Sequence, residues 1–155
     1  MNNESNSRSI KIRDVDIKRM YYKNFSGAPS DIYNPGEPQT PNFGLILDEN
    51  RAHELEDLGF RVKWKPNKSG SLDPRLSVYV RFDQYPPKII QVYPDGKSIS
   101  VDEDGLADLD QLYIAHADVA ISRSSRGRTY LTNARFFIED RKSNSDNDDP
   151  NFWDD

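Results

Sequence analysis

Between Phe60 and Phe82, basic and aromatic side chains alternate with apolar ones, and the alternation sets two recognition chemistries side by side. In FRVKWK, Phe60, Val62 and Trp64 share one face of an extended chain, while Arg61, Lys63 and Lys65 share the other. In SVYVRF, Val78, Val80 and Phe82 alternate with Tyr79 and Arg81, so a ring and a guanidinium point the same way. A flat ring stacks on an unpaired base, and a cation beside it holds the phosphate. A plain solvated sheet face carries a similar pattern, because long basic side chains cover apolar surface with their stems.

A second group of cations falls in SRSSRGR, where Arg123, Arg126 and Arg128 crowd around Gly127 and Tyr130 follows. Near the start, Tyr22 stands beside Tyr21 and shortly before Phe25. Rings so placed either stack on bases or plug the end of a barrel, and Phe25 suits the second use better. Acid–base and metal chemistry have thinner support. There is no cysteine, and His53 and His116 are the only imidazoles, which excludes a thiolate zinc site. His53 lies off the apolar stripe of its helix and reads as a surface histidine; His116, among small and apolar residues, reads as a satisfied core histidine. Asp14 and Asp16 share a face but have Arg13, Lys18 and Arg19 as neighbours, and read as solvated charges rather than a metal pair. VDEDGLADLD fails as a calcium loop: with Gly105 at the glycine position, Gln111 falls where a bidentate glutamate is needed. No catalytic residue, metal or cofactor is expected, and the chain reads as a non-enzyme.

Strands must position these side chains. Ile10 and Ile12 open a long first strand whose pattern slips phase at Arg13-Asp14 and resumes at Val15 and Ile17, which predicts a bulge or sharp bend. Residues 26–41 hold four prolines and two glycines and read as a long loop. NFGLILD predicts a short buried strand. A helix follows, capped by Asp48, with Ala52, Leu55 and Leu58 as its apolar stripe and Gly59 as its stop. Three strands are expected across 60–94, then a tight turn at Pro94-Asp95-Gly96, a short return strand in KSISV, an acidic turn or short helix, and a final hairpin from Gln111 to Asp140 around SRSSRGR.

The net charge of −5 in 155 residues argues at first against a polyanionic partner. The total misleads, since the last ten residues, DNDDPNFWDD, carry five aspartates and no lysine or arginine. The rest of the chain is neutral overall, with bases clustered at 61–68 and 123–135, and local charge sets the field a polyanion meets. No apolar run approaches the length of about 18 residues that a membrane span needs, and the N-terminus has no apolar signal region, so a cytoplasmic protein is expected. Phe152 and Trp153 are out of place in a merely solubilising acidic segment and look like an anchor for a partner's pocket.

In order and spacing the chain resembles the phage-encoded single-stranded-DNA-binding proteins of the OB-fold type. The likeness rests on Asn24-Phe25-Ser26-Gly27, Asn42-Phe43, the helix ending at Gly59, Val62-Lys63-Trp64 running into Lys65-Pro66, Val80-Arg81-Phe82 before Pro86-Pro87-Lys88, the turn Asp102-Glu103-Asp104 and the last hairpin. It departs from the familiar five-stranded barrel in having more strands and an earlier helix. The resemblance implies an all-β, OB-like barrel with one short helix over 10–140, a flexible N-terminus over 1–9 and a disordered acidic tail over 141–155. It implies binding of single-stranded DNA without sequence preference in phage replication or recombination, by a monomer or homodimer in the host cytoplasm. Tyr22, Trp64, Tyr79 and Tyr130 are the stacking candidates, although the alternation puts Trp64 on the apolar face. Arg61, Lys63, Lys65, Arg81, Arg123, Arg126 and Arg128 are the phosphate contacts. Asp148, Asp149, Phe152, Trp153, Asp154 and Asp155 would recruit replication or recombination proteins. The alternative is a β-barrel protein–protein adaptor or virion component that binds no nucleic acid.

Overall fold

Alternating apolar residues build nine strands among the described residues, and the computed structural model describes 9–29, 36–83 and 86–139. In chain order these are β1 (Ile10–Ile12), β2 (Ile17–Asn24), β3 (Asn42–Leu47), β4 (Lys63–Pro66), β5 (Leu72–Tyr79), β6 (Lys88–Val92), β7 (Ser98–Val101), β8 (Tyr113–Arg123) and β9 (Thr129–Glu139), with one α-helix, α1 (Glu49–Asp57), after β3. The ladder runs β1-β8-β9-β5-β3-β2; β4 adds to β5, and the β6–β7 hairpin adds to β9. Most pairs are antiparallel, and β9 runs parallel to both β5 and β6.

The end strands β1 and β2 do not pair with each other, so the sheet is not closed into a barrel. That corrects the expected closed architecture, while the all-β class with one short helix stands. The break between the two end strands falls where the apolar pattern slips. A single 3-10 turn, Asp14–Asp16, separates β1, which pairs with β8, from β2, which pairs with β3. Polar contacts pin that turn: the Asp14 N–H donates to Asp118 Oδ1 at 2.9 Å, and Asp14 Oδ1 accepts from the Ala117 N–H at 3.2 Å. His116 is drawn to the same turn, with Nδ1 3.2 Å from Asp14 Oδ2 and its side chain 64% exposed. It is not a core histidine; its neighbours are apolar but its own position faces outward. The bulges of the first strand lie further on, at Lys18 and Tyr21, where the register of β2 against β3 shifts.

Phe25, Phe43 and Phe136 form the centre of the core, with ring centroids 5.3 to 5.7 Å apart. Phe25 is buried in the core itself rather than at an end of a barrel, and Leu45, Leu76, Val78 and Ile89 belong to the same cluster. Asp48 caps α1, accepting from the Asn50 and Arg51 N–H groups, and Ala52 and Leu55 are buried on its inner face. Leu58, expected in the same stripe, is instead the C-cap beyond the last helical residue and is 47% exposed. The acidic stretch forms a 3-10 helix, Leu106–Gln111, that buries Leu106 and Leu109. Its Asp110 accepts from the N–H groups of Phe25 and Ser26, at 2.8 and 2.9 Å. Lys23 donates to the carbonyls of Leu109 and Leu112 beside it. Burial lowers the Lys23 pKa from its ordinary value, with the Asp110 charge opposing that shift. The tail over 141–155 and its aromatics lie outside the described residues.

Candidate nucleic-acid interface

The outward face of β5 is the floor of a groove. Pro74, Leu76 and Val78 point into the protein, so Arg75, Ser77 and Tyr79 point out. On one side β4 pairs with the first half of β5, setting Lys63 opposite Arg75 and Lys65 opposite Asp73. On the same side, further along, β9 touches β5 at a single pair, Tyr79 with Tyr130. The β8–β9 hairpin tip closes that side and contributes Arg128. On the other side, across β3, the groove is lined by Tyr21. Arg61, Lys63, Lys65, Arg75 and Arg128 therefore converge with Tyr21 and Tyr79, and among the described residues no carboxylate lines the groove.

Cations and rings are in contact here. The Arg128 guanidinium carbon lies 4.4 Å from the Tyr79 ring centroid, and that of Arg75 lies 4.9 Å from the Tyr21 centroid. Tyr79 and Tyr130 have centroids 6.3 Å apart, with Arg81 over Tyr130 at 5.8 Å. Arg81 lies just beyond the end of β5 and donates to Asp83. That hydrogen bond, followed by one with Tyr130, raises the Arg81 pKa further above its ordinary value.

Of the residues singled out in the sequence, Arg61, Lys63, Lys65, Tyr79 and Arg128 come together in the groove. Tyr130 and Arg81 stand beside it, through the contacts just given. Trp64 points to the other side of β4, where it stacks on His53 at 4.9 Å and donates from Nε1 to Glu56 at 2.9 Å. Tyr22 is 43% exposed but does not line the groove. Arg123 donates from Nε to the Leu58 carbonyl at 2.8 Å, and Arg61 donates to the Arg126 carbonyl at 2.6 Å. These two bonds fasten the hairpin tip to the end of α1 and the start of β4. Gly59 and Gly127 permit that approach: both have positive φ, and a Cβ on Gly59 would lie 2.7 Å from Arg123 Nε.

A family model described as "Putative phage ssDNA-binding domain" matches residues 4–134. The chain belongs to this family. No curated protein and no solved structure matches it. The family match includes every residue that lines the groove, from Tyr21 through β4 and the β5 floor to the hairpin tip. Among the described residues, no helix is long and apolar enough to cross a membrane.

Of the groove residues of this phage ssDNA-binding domain, Arg75 escapes a reading of sequence alone, and Tyr21 is not told apart there from its neighbour Tyr22. Arg75 continues the outward alternation back from Tyr79 through Ser77, but Pro74 breaks the appearance of a strand. Tyr21 reaches the groove because it occupies a bulge of β2, and the sequence around it carries no glycine or proline to mark one.

Proposed function

We propose that the groove binds single-stranded DNA, without sequence preference and without catalysis. The observation that carries this reading is the groove itself: five cations and two tyrosines converge on the floor and walls, with no carboxylate among them. Rings accept any base because every base has a π-face, and a cationic rail follows the repeating phosphate. Membership of the phage family supports the polymer class. On this reading the domain works in an OB-like manner, coating single strands during phage DNA replication or recombination. The acidic tail, with Phe152 and Trp153, recruits protein partners.

Charge reversal on the rail tests the reading. A labelled oligothymidylate titrated with the Lys63→Glu/Lys65→Glu variant should bind far more weakly than with the native chain. Its logarithmic salt dependence should flatten by about 0.7 for each phosphate no longer neutralised. Unchanged affinity and slope in a variant that melts like the native protein would remove the groove from consideration.

A further inference from the structure

Tyr21 is placed by three features that its neighbours lack. It has no partner in the β2–β3 register, which steps from Met20 opposite Leu45 directly to Tyr22 opposite Gly44. It is thus the extra residue of a β-bulge, a device that re-aims a side chain. Its ring then lies across Gly44: a Cβ on that glycine would meet Tyr21 Cε1 and Cζ at 2.6 Å. Gly44 has an ordinary backbone conformation rather than a positive φ, so what it supplies is space. The ring ends beside Arg75, whose Nε is buried with no hydrogen-bond partner among the described residues.

We propose that Tyr21 and Arg75, seated on Gly44, form a second nucleobase platform on the wall of the groove opposite the β4 rail. This rests on the groove being the single-strand site. Tyr79 and Arg128 make the first platform; Tyr21 and Arg75 repeat the same ring-and-guanidinium pair on the β3 side of the β5 floor. Ser77, small and outward-facing between them, leaves the floor open. Arg75 lies over the Tyr21 ring, and among the described residues no carboxylate lines the groove beside it. A strand lying across the floor would then have bases gripped at both walls, and Gly44, which touches no nucleotide, is a positioning residue for one of them.

The test is a double-mutant cycle read by anisotropy of a labelled oligothymidylate. Gly44→Ala should displace the ring and weaken binding about 5- to 150-fold, the range expected for removal of one stack. Tyr21→Ala should do the same. The double variant should be no worse than either alone, because both remove one ring from one place. The salt slope should stay unchanged in all three, and Tyr21→Phe, which keeps the ring, should bind like the native chain. If Gly44→Ala does not fold, the contrast between Tyr21→Ala and Tyr21→Phe carries the test. Native affinity in Tyr21→Ala, with affinity lost in Tyr79→Ala, overturns the second platform and leaves the groove reading intact. Absence of binding by the native chain overturns both.

Discussion

Within the groove, rings and cations have separable duties. If the groove is the single-strand site as proposed, Tyr79 would offer a face to a base, so Tyr79→Ala should cost about 1–3 kcal/mol of single-strand affinity and leave the salt slope nearly unchanged. Arg128 offers a charge, so Arg128→Ala should lower the slope by about 0.7; an equilibrium titration at several salt concentrations reads both. Arg81 differs from Arg128 because it is already engaged by Asp83. A phosphate must compete with that carboxylate. Asp83→Asn is therefore expected to tighten binding at low salt, and the gain should fade as screening increases. These assignments are partly legible in sequence. Arg61, Lys63 and Lys65 follow a local period of two that needs no tertiary information. Arg123 has the same composition and setting as Arg128, yet it bonds the Leu58 carbonyl, and only the fold tells the two apart.

At the scale of elements, the groove depends on a hairpin tip being held against the end of a helix. The Arg123 bond to Leu58 and the Arg61 bond to the Arg126 carbonyl do the holding, and Gly59 makes the approach possible with φ at +96°. Gly59→Ala introduces a side chain in a left-handed conformation and pushes it into Arg123. It should destabilise the fold by more than about 1 kcal/mol, measurable by urea denaturation. The helix start is simpler: Asp48→Ala should cost about 0.5–2 kcal/mol in the same assay, with no effect on DNA affinity. The helix, β3 and the last hairpin are legible because caps, buried runs and turn glycines are local signals. β5 is less so, since it begins at Leu72 and runs through Pro74, a residue that argues against a strand. The 3-10 turn after β1 shows in sequence only as a slip of phase, whose resolution depends on Asp118 and Ala117 roughly a hundred residues away.

For the whole molecule, charge is divided between a cationic groove and an acidic tail, and the net value of −5 conceals both. On the proposed reading, attachment to the same chain would hold the acidic segment at an effective concentration on the order of millimolar, and its aspartates are expected to compete with phosphate. Deleting Asp146 to Asp155 is expected to tighten single-strand binding several-fold at low salt and less at physiological salt, as titrations of the two proteins side by side would reveal. The open ladder is not legible in sequence, because closure depends on pairings between distant strands and every local pattern is the same in an open or a closed sheet. The central claim is that rings in the groove stack on unpaired bases, and comparing a single strand with its matched duplex in one salt buffer tests it most directly. The account predicts much tighter binding to the single strand and a lowered duplex melting temperature when protein is added. Equal affinity for the two forms, with melting unchanged, would mean that charge alone attracts the DNA and would contradict the stacking mechanism.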